Sequence, residues 1–387
     1  MIKDERICVV LVIDDLEYGG AQRQVIELAN NMDQDRFDVH VCTLSNYVPL
    51  GSQLRDAERR LHTIVKRNKV DFTVVPRLAR LLRSLNADIV HSYLFSADIA
   101  SRLAGRLAGT ELIVGSERNA NYSPKKRHVF SYRLTRGCVD LTIANSKAGA
   151  DFSSKTFGQP ASDYHVVYNG VDTERFRPRD GNAIRNELRI PLESRVIGMF
   201  ASYKPQKNHP MLLQAFKRVF DAFQDTQLLL VGHQLYGNMA GTGEYHARME
   251  DLIDELGIRN QCIFLGNRNN VEQIYPACDI TALSSLYEGT PNVLLESMAC
   301  GVPVVATNVS DNSYVVKEGE TGFLVELGDV EGMAGRIQNL FTNDTMLQKM
   351  RQKARKWVVD EFSLNQLARK TETVYREALN GKCNKCR

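Results

Sequence analysis

Runs of consecutive apolar residues alternate along this chain with stretches in which apolar positions recur every three or four residues. The first run, residues 7–13, is apolar throughout, as expected of a parallel strand covered on both faces. Further runs at 37–42, 61–65, 88–91, 111–114, 141–144 and 164–167, and then at 196–201, 227–231, 262–265, 279–283 and 302–306, predict strands. Helical spacing fills most of the gaps, for instance at Val25, Leu28, Ala29 and Met32. Strand and helix alternating at this pace predict doubly wound parallel sheets, whose ligands lie beyond the carboxyl ends of the strands. The first series ends in the turn Asn169-Gly170, and the polar stretch that follows, to Asn182, reads as a domain boundary.

Residues 284–296, SSLYEGTPNVLLE, join a predicted strand to a predicted helix and carry Glu288 and Glu296. Thr290 is expected to cap the helix with Pro291 at its first position, and Gly301 and Pro303 to end it. A helix start presents unpaired amides and partial positive charge. Those near Asn292 and Val293 are therefore suited to a phosphate, while Glu296 reaches a neighbouring diol. A nucleotide sugar offers both groups.

The string EGTPNVLLESMACGVPVVAT, with Gly322-Phe323-Leu324-Val325 downstream, resembles the E-x7-E signature of the family 4 glycosyltransferases. The resemblance implies an α/β chain of two Rossmann-like domains facing each other across a cleft, the GT-B architecture, and mostly retention of anomeric configuration. It places the donor on Glu288, Gly289, Thr290, Asn292, Val293 and Glu296, with Glu288 orienting the sugar or balancing charge at its anomeric carbon. GGAQRQVIELA from Gly19-Gly20 is similar to the family's N-terminal signature, which faces the cleft; as residues alone, Gly-Gly also reads as a plain turn. YNGVD at 168–172 resembles the interdomain segment. The expected domains are thus 1–172 for the acceptor and 173–363 for the nucleotide sugar, with 364–387 returning as a helix to the first.

Four further places qualify this reading. The loop 202–209 has the position of the family's diphosphate loop, in which an arginine and a lysine five residues apart offset the leaving group; Lys207 matches, but Ser202 stands in the arginine's place. Lys204, Arg118 or backbone amides are expected to supply the missing charge. Gly266 and Arg268 fall in a segment similar to the one that lies against the base, where Arg268 either stacks or pairs with Glu272. After the strand at 111–114, many family members carry a histidine near the donor sugar. Here Arg118 and Asn119 occupy the region, as site residues or as a polar loop with Arg118 paired to Glu117. His91, at another strand end, either meets acceptor or phosphate or packs beneath the cleft.

Composition limits the alternatives. The chain has 387 residues, enough for two cores, with 43% hydrophobic and 25% charged residues and a net charge of +3, which does not by itself argue for nucleic acid. No run of eighteen apolar residues and no signal peptide is legible, so the expected place is the cytoplasm. Cys8, Cys42, Cys138, Cys262 and Cys278 read as small buried hydrophobes, and Cys383 with Cys386 lacks the second pair of a zinc site. Basic residues cluster at Arg77, Arg80 and Arg83 and at Lys125, Lys126 and Arg127, which suits an anionic membrane or a solvated helix face.

No Asp-x-Asp pair sits at a strand end and no G-x-G-x-x-G follows the first strand; the latter argues against a dinucleotide-dependent oxidoreductase. The expected function is metal-free, cofactor-free transfer of a sugar from a nucleoside-diphosphate sugar to a saccharide or lipid-linked acceptor. A catalytically inactive nucleotide-sugar-binding protein of the same fold is the alternative.

Overall fold

The computed structural model describes residues 6–68, 71–118, 124–232 and 242–385. The described residues up to Gly170, together with those from Leu364 on, form one compact unit, and Val171–Ser363 form the other.

Seven parallel strands build the sheet of the first unit: β1 (Ile7–Ile13), β2 (Phe37–Thr43), β3 (Leu61–Thr63), β4 (Ile89–Tyr93), β5 (Leu112–Glu117), β6 (Leu141–Ala144) and β7 (Tyr164–Val166). Their order is β3-β2-β1-β4-β5-β6-β7, so chain order reverses between β1 and β4. β1 shows why its sequence is apolar throughout. Val9, Leu11 and Ile13 face one core with Val25 and Leu28, whereas Cys8, Val10 and Val12 face another with Leu78 and Ala104. The C-terminal helix, Leu364–Lys385, completes the first of these cores with Leu367, Ala368 and Tyr375. Glu372 also accepts a hydrogen bond from the Asp33 amide at 2.8 Å.

The second unit has a six-stranded sheet of β8 (Arg195–Phe200), β9 (Thr226–Val231), β10 (Cys262–Gly266), β11 (Ile280–Leu283), β12 (Val304–Thr307) and β13 (Gly322–Val325). The order is β10-β9-β8-β11-β12-β13, again all parallel. Here the reversal lies between β8 and β11, which pair through Ile280↔Ile197 and Thr281↔Gly198. In open parallel sheets this is where the loops part and leave a crevice at the carboxyl ends. The loop after β8 carries Lys207 and the loop after β11 carries Glu288, so the two segments singled out by sequence leave adjacent central strands.

The basic helix of the first unit differs from expectation. In Val74–Ser84 the buried side is Val74, Leu78, Ala79 and Leu82, and Arg77 turns back to Asp71 (2.9 Å) and the Val65 carbonyl (3.0 Å). Arg77 therefore does not share an open face with Arg80 and Arg83. The amphipathic basic surface lies instead on Lys126–Thr135, where Lys126 and Arg127 are exposed beside Phe130 and Leu134.

Candidate active site

The loops after β8 and β11 are fastened to each other along their length. The Leu286 amide donates to the Gln206 carbonyl (2.8 Å), Gln206 Nε2 donates to the Tyr287 carbonyl (2.8 Å), and Ser284 Oγ bonds the Lys207 and Asn208 carbonyls. Lys207 and Glu288 are thereby brought together. Lys207 Nζ lies 2.5 Å from Glu288 Oε1, and Ser285 Oγ donates to the same oxygen at 2.7 Å. The lysine side chain is 17% exposed and the glutamate 8%, so solvent screens this pair only in part. Residues expected to serve the diphosphate and the sugar separately form one unit of balanced charge. An anion arriving at Lys207 must share it with Glu288.

A stack of rings supports the same loop. Tyr203 lies flat on His209 (centroids 4.8 Å, planes 11° apart), and the His209 amide donates to Tyr245 Oη at 3.1 Å. Burial pushes the His209 imidazole down to about 3, so it is neutral at ordinary pH and adds no charge to the site. Ser202 and Lys204 are half-buried in this loop, and Lys204 closes it by accepting the Lys207 amide at 2.9 Å. Gly232 is required beside it, because a Cβ there would stand 1.9 Å from the Ala201 carbonyl oxygen.

The signature helix runs Asn292–Ala299, one residue later than its sequence suggested. Pro291 itself holds the cap position with extended backbone (φ −74°, ψ 112°), and Thr290 precedes it, buried with Gly289. Proline has no side-chain acceptor, so the cap residue makes no side-chain hydrogen bond to the first turn. The helix end follows expectation: Gly301 is left-handed (φ +72°), with hydrogen bonds from its amide to the Met298 carbonyl and from Val302 to Ser297. Glu296 is buried one turn into the helix, where Tyr275 Oη donates to its Oε2 at 2.9 Å. Tyr275 is wholly buried and stacked on Phe200 at 3.8 Å. Sequence reasoning missed this residue; its only signal was that a buried phenol needs a partner.

Arg268 does not pair with Glu272, one of its two readings. Glu272 is taken by Arg175 (2.9 Å), and Arg268 faces Glu187 at 3.5 Å, while Gly266 ends β10 with a left-handed backbone.

In the first unit Gly19 caps the helix Gly20–Asn31 with extended backbone. His91 is 1% exposed, its Nδ1 2.5 Å from Tyr375 Oη and its Nε2 2.7 Å from Ser116 Oγ, so it packs and hydrogen-bonds within the unit. Burial holds its imidazole well below the usual range. Arg118 does not pair with Glu117, which accepts from Ser153; it donates to Asn169 Oδ1 at 2.5 Å and lies over Tyr93. Asn119 and Cys386 lie outside the described residues. Among those described, no helix is long and apolar enough to cross a membrane.

Two family profiles match the chain: "Glycosyltransferase Family 4" over residues 18–175 and "Glycosyl transferases group 1" over residues 180–357. Among similar proteins, N-acetyl-alpha-D-glucosaminyl L-malate synthase of Bacillus anthracis is 24% identical over 94% of this chain and 96% of its own. UDP-Gal:alpha-D-GlcNAc-diphosphoundecaprenol alpha-1,3-galactosyltransferase of Escherichia coli is 26% identical over 92% and 93%. The crystal structure of Anabaena Alr3699/HepE in complex with UDP superposes with a TM-score of 0.84 at 21% identity, covering 96% of this chain and 100% of the other, a likeness of fold.

Proposed function

Since the chain belongs to the family 4 glycosyltransferases, with the GT-B fold, we propose that it moves a hexosyl group from a nucleoside-diphosphate sugar to a hydroxyl of a saccharide or lipid-linked acceptor, with retention and without a metal ion. The observation that carries this reading is the pairing of Lys207 with Glu288 at the carboxyl ends of β8 and β11, in the loop that leads into the helix of Glu296. Lys207 and the first-turn amides of Asn292 and Val293 take the diphosphate, and Glu296, aimed by Tyr275, takes the ribose diol. As the bond from the anomeric carbon to the diphosphate oxygen breaks, charge grows on that oxygen and draws Lys207 toward it. Glu288 then faces the positive charge at the anomeric carbon. The acceptor oxygen bonds the same face of that carbon, and its proton passes to the leaving phosphate, so no protein nucleophile is required. The test is to incubate the protein with UDP, GDP and ADP sugars and measure released nucleotide. Release from one donor class is expected; tight binding without release from any would make the chain a nucleotide-sugar-binding protein.

On the acceptor side, the names of the two relatives specify malate and a diphosphoundecaprenol-linked sugar, each bearing an anionic group. A lipid-linked acceptor would bring this enzyme to the inner face of an anionic membrane. The helix Lys126–Thr135 supports that placement: Phe130 is 67% and Leu134 72% exposed, and Lys126 and Arg127 share their face at helical spacing. Each basic residue near such a surface contributes about 1 kcal/mol. Wild type should therefore sediment with phosphatidylglycerol vesicles at low salt, and the triple variant Lys125→Ser, Lys126→Ser, Arg127→Ser much less. High salt should release most of the bound protein. No sedimentation of wild type at low salt would point to a soluble acceptor.

A further inference from the structure

Arg118 stands one residue past β5, which ends at Glu117, in a sheet whose ligand side is its carboxyl edge. It is half-buried, and its Nε is wholly buried with no hydrogen-bond partner. Its guanidinium gives one hydrogen bond to the neutral amide of Asn169 and lies 5.5 Å from the centre of the Tyr93 ring. Among the described residues it forms no ion pair with a carboxylate. The adjoining Glu117 accepts from Ser153, and Asp98 is occupied by Arg102 at 3.0 Å. The three buried arginines among the described residues are each completed: Arg102 and Arg185 have carboxylates at 3.0 and 2.9 Å in Asp98 and Asp279, and Arg60 spends its donors on the Val39, Arg55 and Ala29 carbonyls.

A guanidinium carries five donors in a rigid fork, and taking its charge out of water is costly unless an anion or several acceptors replace the water. Arg118 has one acceptor and one ring face. Beside it, Gln24, His91, Tyr93 and Thr371 line a cavity of about 10 Å³, room for about one water. That volume admits a water but no anion, so a counter-charge for Arg118 has to come from the carboxyl edge of the sheet. His91 is neutral and held by Tyr375 and Ser116, and so brings no second charge. Among the described residues the cation is built in and its partner is not.

We propose that Arg118 is the anion-recognising residue of an acceptor subsite, so that the acceptor of this enzyme carries a carboxylate or phosphate beside the hydroxyl that is glycosylated. The inference rests on the transferase reading. Such an oxyanion has two sources, the acceptor and the donor diphosphate. The acceptor is the better match, because in that reading the diphosphate is held in the second unit by Lys207 and the first-turn amides of the signature helix.

The experiment is calorimetry on the full chain saturated with UDP, titrated with glycerol 3-phosphate, L-malate and, as the neutral control, glycerol. Saturable binding of one or both anions and none of glycerol is expected. Arg118→Gln should weaken anion binding at least about tenfold, and Arg118→Lys, which keeps charge but loses the fork, should fall between. Both variants should bind UDP as wild type does, which also shows that they are folded. Should Arg118→Gln fail to fold, the lysine variant alone decides by the same comparison. The proposal is overturned if wild type binds neither anion, if the variants bind them equally well, or if the variants lose UDP affinity, which would assign Arg118 to the diphosphate. Failure of wild type to bind any of UDP, GDP and ADP would instead overturn the donor reading; where GDP or ADP binds and UDP does not, that nucleotide takes the place of UDP throughout.

Discussion

Replacing Lys207 by alanine should lower turnover by about 10²–10³-fold, the usual effect of removing one donor aimed at a developing oxyanion. Lys204→Ala should have a much smaller effect, although both residues lie in the same loop, because Lys207 alone faces Glu288 across the ends of β8 and β11. The structure adds a complication that can be measured. Lys207→Ala also leaves the 8%-exposed Glu288 carboxylate without its cation, a burden on folding separate from the chemistry. Glu288→Gln combined with Lys207→Ala removes that burden. If the double variant regains melting temperature, the thermal loss of Lys207→Ala came from the unpaired carboxylate. Turnover of the double variant is then compared with Glu288→Gln alone: a further large fall assigns the lysine to the leaving group, whereas equal turnover assigns it to holding Glu288. Equal kinetics for Lys204→Ala and Lys207→Ala would mean that the loop has been assigned to the wrong lysine.

Loss of donor affinity is the second large effect expected. A carboxylate that accepts hydroxyl donors contributes about 1.5–3 kcal/mol per hydrogen bond, so Glu296→Ala should weaken nucleotide binding about 10- to 150-fold for each bond lost. Tyr275→Phe should move affinity in the same direction by less, since it removes only the 2.9 Å bond that aims the carboxylate and keeps the ring against Phe200. Calorimetry with the preferred nucleotide decides. A folded Glu296→Ala chain with unchanged affinity would take the ribose away from this residue.

Most of the strand framework is legible because a buried parallel strand is written locally: β1 must be apolar on both faces, and its seven residues say so without reference to the rest of the chain. Glu288, Glu296 and Lys207 stand out for the same local reason, within short strings tied to strand ends. Partners are not legible in this way. Lys207 meets Glu288 across 81 positions and Tyr275 meets Glu296 across 21, and no local pattern encodes either choice. The same holds for Arg175, which takes Glu272 from the nearer Arg268, and for Arg77, whose helical spacing with Arg80 and Arg83 says nothing of the carboxylate waiting at Asp71. The cap misassignment is smaller and chemical: Thr290 looks like a cap in sequence, but the extended backbone at Pro291 starts the helix one residue later.

The return of Leu364–Lys385 to the first unit sets the order in which this chain can become a protein. On the ribosome, the strands of the first sheet emerge first, but the helix that covers Val9, Leu11, Val25 and Leu28 is made only after Val171–Ser363. At about 5–20 residues per second that interval lasts roughly 10–40 s. Throughout it the older half of the nascent chain keeps one apolar core, packed by Gly20–Asn31, without its closing helix, and by its end the younger half has every strand of its own sheet. Maturation thus runs from the middle of the chain outward, and the earliest residues are the last to be sealed.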